Sequence, residues 1–136
     1  MLTDVNELSI FVAAVISVAI GSIWYSPLLF ASPWLKAARL TVEEENVNTR
    51  EAFFLTVLGV LLQSAFFAAL AYLFRLLEKT GVSFPFFLVI IGAMLLSFLS
   101  GITIWERKPL AYFLIHGGYT ATALIAGLSV IIYWPW

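Results

Sequence analysis

Residues 109–136 read PLAYFLIHGGYTATALIAGLSVIIYWPW, a run without a single Asp, Glu, Lys or Arg. An α-helix of about 20 apolar residues crosses a hydrocarbon core about 30 Å thick, and this run meets that length with its polar ends trimmed. It lacks the period-two alternation of a barrel strand, and lipid admits only helices and closed barrels. A transmembrane helix over about 110–133 follows.

Three more charge-free stretches precede it: Leu8 to Leu35, Ala52 to Phe74 and Thr80 to Trp105. They predict helices over about 6–25, 48–77 and 84–105, joined by a first loop, 26–47, at the membrane interface. Residues 1–136 thus read as one transmembrane domain, an all-α integral membrane four-helix bundle. Composition agrees, with 62% hydrophobic and 11% charged residues and a mean hydropathy of +1.02, against about 25% charged in soluble domains. A net charge of −1 offers no basic surface to hold nucleic acid. Without cysteine there is no disulfide, thiolate metal site or thiol nucleophile.

Asp4 and Glu7 stand where a signal peptide would be basic, so the first helix is expected to persist. Lys36, Arg39 and Arg50 fall in the first loop and Arg107 and Lys108 in the third, against Arg75 and Lys79 in the second. This bias predicts cytoplasmic first and third loops and outward termini. Trp24 and Trp105 are expected at the inner interface and Tyr133, Trp134 and Trp136 at the outer one.

Pro27 and Pro33 end the first helix. Beyond them Trp34, Leu35 and Leu40 interleave with Lys36 and Arg39, which suggests a short segment in the headgroup layer. Thr41 with Glu44, and Asn48 with Glu51, have capping-box spacing. Ala13, Ser17, Gly21, Trp24 and Pro27 are echoed by Ala93, Ser97, Gly101, Trp105 and Pro109. Two explanations stand: two repeated helical hairpins, or the small residues common at any membrane helix interface. Either way these stripes, with Ser64 and Ala68 in the second helix and Gly118, Thr122 and Ala126 in the last, are expected to let helices approach closely.

The block GSIWYSPLLF over 21–30, then Trp34, and the later Trp105, Glu106, Arg107, Lys108, Pro109, Leu114, Ile115, Gly118 and Tyr119 resemble the family catalogued as domain of unknown function 1761. The resemblance covers nearly the whole chain. It implies a small four-span protein of a bacterial inner membrane, and no agreed activity. The Gly-Lys that follows the Phe in that family is Ala31 and Ser32 here, so a headgroup role for that lysine does not carry over.

His116 is the single histidine and lies within the last span, where an ionisable group is a functional candidate. Tyr119 and Thr120 share its helical face. Tyr25, Ser26 and Glu106 are expected in the same half of the bilayer, and Gln63 near the midplane. These seven residues are the candidates for a polar, cytoplasm-facing pocket. The plainer reading gives His116 and Gln63 one interhelical hydrogen bond each, and Glu106 an ion pair with Arg107 or Arg39. No phosphate loop, nucleophile elbow or metal-ligand cluster is present in the sequence, so neither catalysis nor a metal or other cofactor is expected. Two functions remain: a membrane protein that binds or conducts a small solute or ion, and a non-catalytic accessory or scaffold subunit of a larger membrane complex. The bilayer is the expected partner, with self-association into a homo-oligomer suggested by stripes more numerous than one bundle needs.

Overall fold

The computed structural model describes residues 5–41 and 49–135. Its elements are α1 (Glu7–Trp24), α2 (Ala31–Ala38), α3 (Thr49–Glu78), α4 (Phe84–Trp105) and α5 (Leu110–Ile132). All but α2 are long and apolar enough to cross a membrane, so the chain is an all-α helical bundle with a membrane location. The expected spans agree with these bounds to within one residue. The capping boxes at Thr41/Glu44 and Asn48/Glu51 involve residues outside those described.

Local chemistry sets the helix ends. The Asn6 side chain accepts the Leu8 N–H at 2.9 Å, capping α1. At its other end Ser26 and Pro27 turn the chain, with the Phe30 N–H donating to the Trp24 carbonyl at 3.1 Å. Helix α2 closes through Arg39 in the left-handed region, φ 62°, with the Leu40 N–H returning to the Leu35 carbonyl at 3.0 Å. Gly81, φ +91°, performs the corresponding reversal after α3.

Packing is uneven along the bundle. Phe67, Ala71, Leu128, Ala13 and Ser17 are fully buried, and Phe74, Phe87 and Ile131 nearly so. They bring α1, the second half of α3, the start of α4 and the last turns of α5 together toward the end where α1 begins and α5 finishes. Phe74 stacks edgewise on Phe84 with centroids 5.3 Å apart, tying α3 to α4 there. Toward its own start α3 loses this cover, and Phe53, Phe54, Leu55, Leu61 and Leu62 are all more than half exposed.

The small-residue stripes divide between two environments. On α1, Ala13 and Ser17 are buried, and a Cβ at Gly21 would lie 3.2 Å from the Tyr119 ring. On α5, Gly118 faces the Trp24 indole, which a Cβ would meet at 2.8 Å. The expected stripe continues poorly beyond that, since Thr122 is exposed and its hydroxyl donates back to the Gly118 carbonyl at 2.8 Å. The α4 stripe packs on none of the described residues: Ala93 and Ser97 are exposed and a Cβ at Gly101 would meet open space. The reason is rotational, because α4 turns Phe87 and Ile91 inward, leaving the opposite face to the bilayer. Alike in sequence, the α1 and α4 stripes are used differently.

Gly127 gives the sharpest packing test. A Cβ there would collide with the Phe67 ring, and that ring is fully enclosed. Gly127→Ala is expected to destabilise the bundle by about 1–3 kcal/mol, read as a lower thermal midpoint in detergent, whereas Gly101→Ala, inside α4 with open space for its Cβ, should not lower that midpoint.

Candidate functional site

At the opposite end from the enclosed core, the first and third loops meet. The Arg39 guanidinium donates to the Arg107 carbonyl at 2.9 Å, and the Lys108 ammonium donates to the Ala38 carbonyl at 2.7 Å. Both cations therefore brace backbone. Glu106 is exposed and makes no ion pair with Arg39, Arg107 or Lys108. The expected Glu106 pairing is corrected accordingly. Glu106 caps the end of α4 through its backbone N–H instead.

Within this end lies an aromatic cluster centred on His116. Its Nε2 receives the Trp34 indole N–H at 3.1 Å, and its Nδ1 lies 2.6 Å from the Tyr25 hydroxyl oxygen. An indole nitrogen can only donate, so Nε2 carries no hydrogen and the proton of the neutral ring sits on Nδ1, directed at Tyr25. Tyr112 meets the imidazole edgewise with centroids 4.4 Å apart. Tyr25 in turn meets Tyr119 edgewise at 5.5 Å. With both ring nitrogens occupied, His116 acts as the catch that holds α2 against α5.

Trp24, the last residue of α1, turns its ring into the bundle, its indole N–H donating to the Ile115 carbonyl at 3.0 Å, while Trp105, the last residue of α4, is 88% exposed. Trp34, read from the sequence only as part of an interfacial segment, is the residue that His116 needed. A buried lone histidine requires two partners, but sequence spacing could not say that one would come from 82 positions away.

The seven pocket candidates do not gather in one pocket. Tyr25 and His116 belong to the aromatic cluster. Ser26 serves the turn after α1, its hydroxyl donating to the Ile23 carbonyl at 2.7 Å and accepting the Leu28 N–H at 3.2 Å. Glu106 is at the surface. Gln63, Tyr119 and Thr120 instead line a crevice of about 270 Å³, open on one side, whose apolar walls include Phe66, Leu95 and Leu124. It lies where α3 begins to part from α4 and α5. The Tyr119 hydroxyl donates to the Ser17 carbonyl at 3.3 Å and the Thr120 hydroxyl to the His116 carbonyl at 2.8 Å. Gln63, half-buried midway along α3, makes no side-chain hydrogen bond with the described residues. One interhelical hydrogen bond was expected of it; its amide faces the crevice instead. Among the described residues no three His, Cys, Asp or Glu side chains gather as a metal site would need.

These features define a membrane helix bundle with a short helix latched to one end and a polar crevice midway. A family model described as "Protein of unknown function (DUF1761)" matches residues 8–133, and the chain belongs to that family. No curated protein and no solved structure matches the chain.

The latch makes a direct prediction. Trp34→Phe keeps the ring but deletes the donor, which should cost about 1 kcal/mol and loosen α2 alone. Hydrogen exchange should then quicken over Ala31–Ala38 and remain unchanged over Leu124–Ile131.

Proposed function

We propose that this protein binds a small molecule from within the bilayer, in the crevice between α3, α4 and α5. The observation that carries this reading is the Gln63 amide. A primary amide at mid-membrane depth has two donors and an acceptor, and leaving them unmatched in hydrocarbon is costly. Beside it stand two oxygens that still have lone pairs. Such a group is stable if a ligand supplies the missing partners. Binding is favoured over conduction in a single chain, because Ser17, Phe67 and Leu128 are sealed without solvent exposure and His116 is fully engaged by Trp34 and Tyr25.

The full chain, extracted in mild detergent, should retain a neutral lipid-soluble compound that mass spectrometry of an organic extract detects. Gln63→Leu should lose it while eluting at the same size. Equal retention by both proteins, or none by either, would sink the reading.

Orientation follows from charge. Five of the seven basic residues, namely Lys36, Arg39, Arg50, Arg107 and Lys108, belong to the first and third loops or their margins, and such loops stay in the cytoplasm. Ser32 and Ser83 are both exposed, on opposite loops. In this cysteine-free chain, a cysteine at Ser83 should react with an impermeant thiol reagent added outside intact cells, and one at Ser32 should not. The reverse pattern would invert the orientation.

Self-association is the second reading that a specific observation favours. The exposed α4 stripe of Ala93, Ser97 and Gly101 would let a second copy approach closely. Gly101→Leu should then shift the protein toward smaller species in detergent without lowering its thermal midpoint.

A further inference from the structure

We infer that the crevice selects a neutral, lipid-soluble hydrogen-bond donor: an alcohol or phenol whose polar end reaches the middle of the bilayer. The inference rests on the binding reading above and adds the ligand's chemistry. It follows from where each proton in the crevice goes.

The Tyr119 hydroxyl has one hydrogen, and the Ser17 carbonyl takes it at 3.3 Å. The Thr120 hydroxyl has one hydrogen, and the His116 carbonyl takes it at 2.8 Å. Both oxygens can now only accept. Gln63 adds a carbonyl acceptor and an NH₂ donor, each without a partner among the described residues. The crevice therefore presents three acceptor oxygens and a single donor group. A ligand bearing only carbonyl or ether oxygen can engage the amide NH₂ and nothing else. A hydroxyl can accept from Gln63 and donate to Thr120, Tyr119 or the Gln63 carbonyl at once.

Charge and depth narrow the class further. None of the residues lining the crevice is a Lys, Arg, Asp or Glu, so neither a phosphate nor an ammonium would find a counter-charge, and a bare ion at mid-membrane is strongly disfavoured. Gln63 sits halfway along α3, and Tyr119 and Thr120 halfway along α5. Phospholipid headgroups lie about 15 Å away, at the edge of a core about 30 Å thick. Only a lipid with an uncharged polar end can enter so deeply. At about 270 Å³ the space is slightly below the roughly 300–1,000 Å³ of drug-sized pockets. It takes the polar end and first carbons, leaving the tail in the surrounding lipid through the open side.

The test is competition for radiolabelled 1-hexadecanol, bound to the full chain in phosphatidylcholine nanodiscs. Unlabelled 1-hexadecanol should displace the label saturably. Its methyl ether and hexadecan-2-one should compete at least about fivefold less well, the ratio for one lost hydrogen bond. Gln63→Leu should weaken alcohol binding by about tenfold, and Thr120→Val should narrow the gap between alcohol and ether while the thermal midpoint stays within the wild-type range. Equal competition by alcohol, ether and ketone would overturn the donor rule yet leave a crevice that binds. Non-saturable label uptake, the same in wild type and Gln63→Leu, would overturn the binding reading itself.

Discussion

Hydrocarbon offers no hydrogen-bond partner, so each polar side chain in a transmembrane helix must be satisfied from within the chain or by something brought to it. That constraint orders this molecule. Ser17 returns its proton to Ala13 one turn back at 3.0 Å, and Thr122, Ser64 and Thr56 do likewise on their own helices. These local bonds let hydroxyls lie in lipid or in tight interfaces without a neighbour. Histidine and tryptophan have no such local outlet. They must reach across helices, as Trp24 does to Ile115 and Trp34 to His116, and in doing so they fix which elements are adjacent.

The two ends of the bundle consequently cohere by different means. At the end where α1 begins and α5 finishes, enclosed aromatic and aliphatic side chains from all four long helices interlock, with Phe67 and Leu128 fully covered. At the other end, directional bonds from indole, imidazole, guanidinium and ammonium groups replace most of that packing. Between them α3 leaves the interlocked region, and the crevice is the geometric result of that departure. Its polar lining is not an accident of one residue, since Tyr119 belongs to both regions: its ring borders Tyr25 at 5.5 Å and its hydroxyl reaches Ser17.

The spans were readable because hydropathy measures transfer to an apolar medium, and long charge-free runs leave no other reading. Which face of each span meets protein was not readable for the same reason. Lipid tails and leucine side chains are equally apolar, so Ala93, Ser97 and Gly101 looked like Ala13, Ser17 and Gly21 while ending on an exposed surface. His116 could be singled out because it is rare and ionisable, but its partners could not: Trp34 was disguised as an interfacial aromatic. For Gln63 and Glu106 the sequence gives only a level along the bundle, Gln63 from rise per residue and Glu106 from its place in the third loop. Their company was misjudged because depth says nothing of azimuth, the angle about the helix axis that decides whether two side chains at one level meet.

The bracing of α2 has a consequence for how this end of the protein meets its ionic surroundings. Arg39 and Lys108 hold the two loops together through carbonyl oxygens, not carboxylates. An ion pair at a membrane surface weakens as dissolved salt shortens the reach of charge, to about 8 Å at physiological strength. A hydrogen bond to a carbonyl draws little on that reach, and the left-handed turn at Arg39 fixes its geometry through the backbone. The junction between α2 and the bundle is thereby insulated from swings in ionic strength, even though it is built from the residues that would ordinarily feel them most.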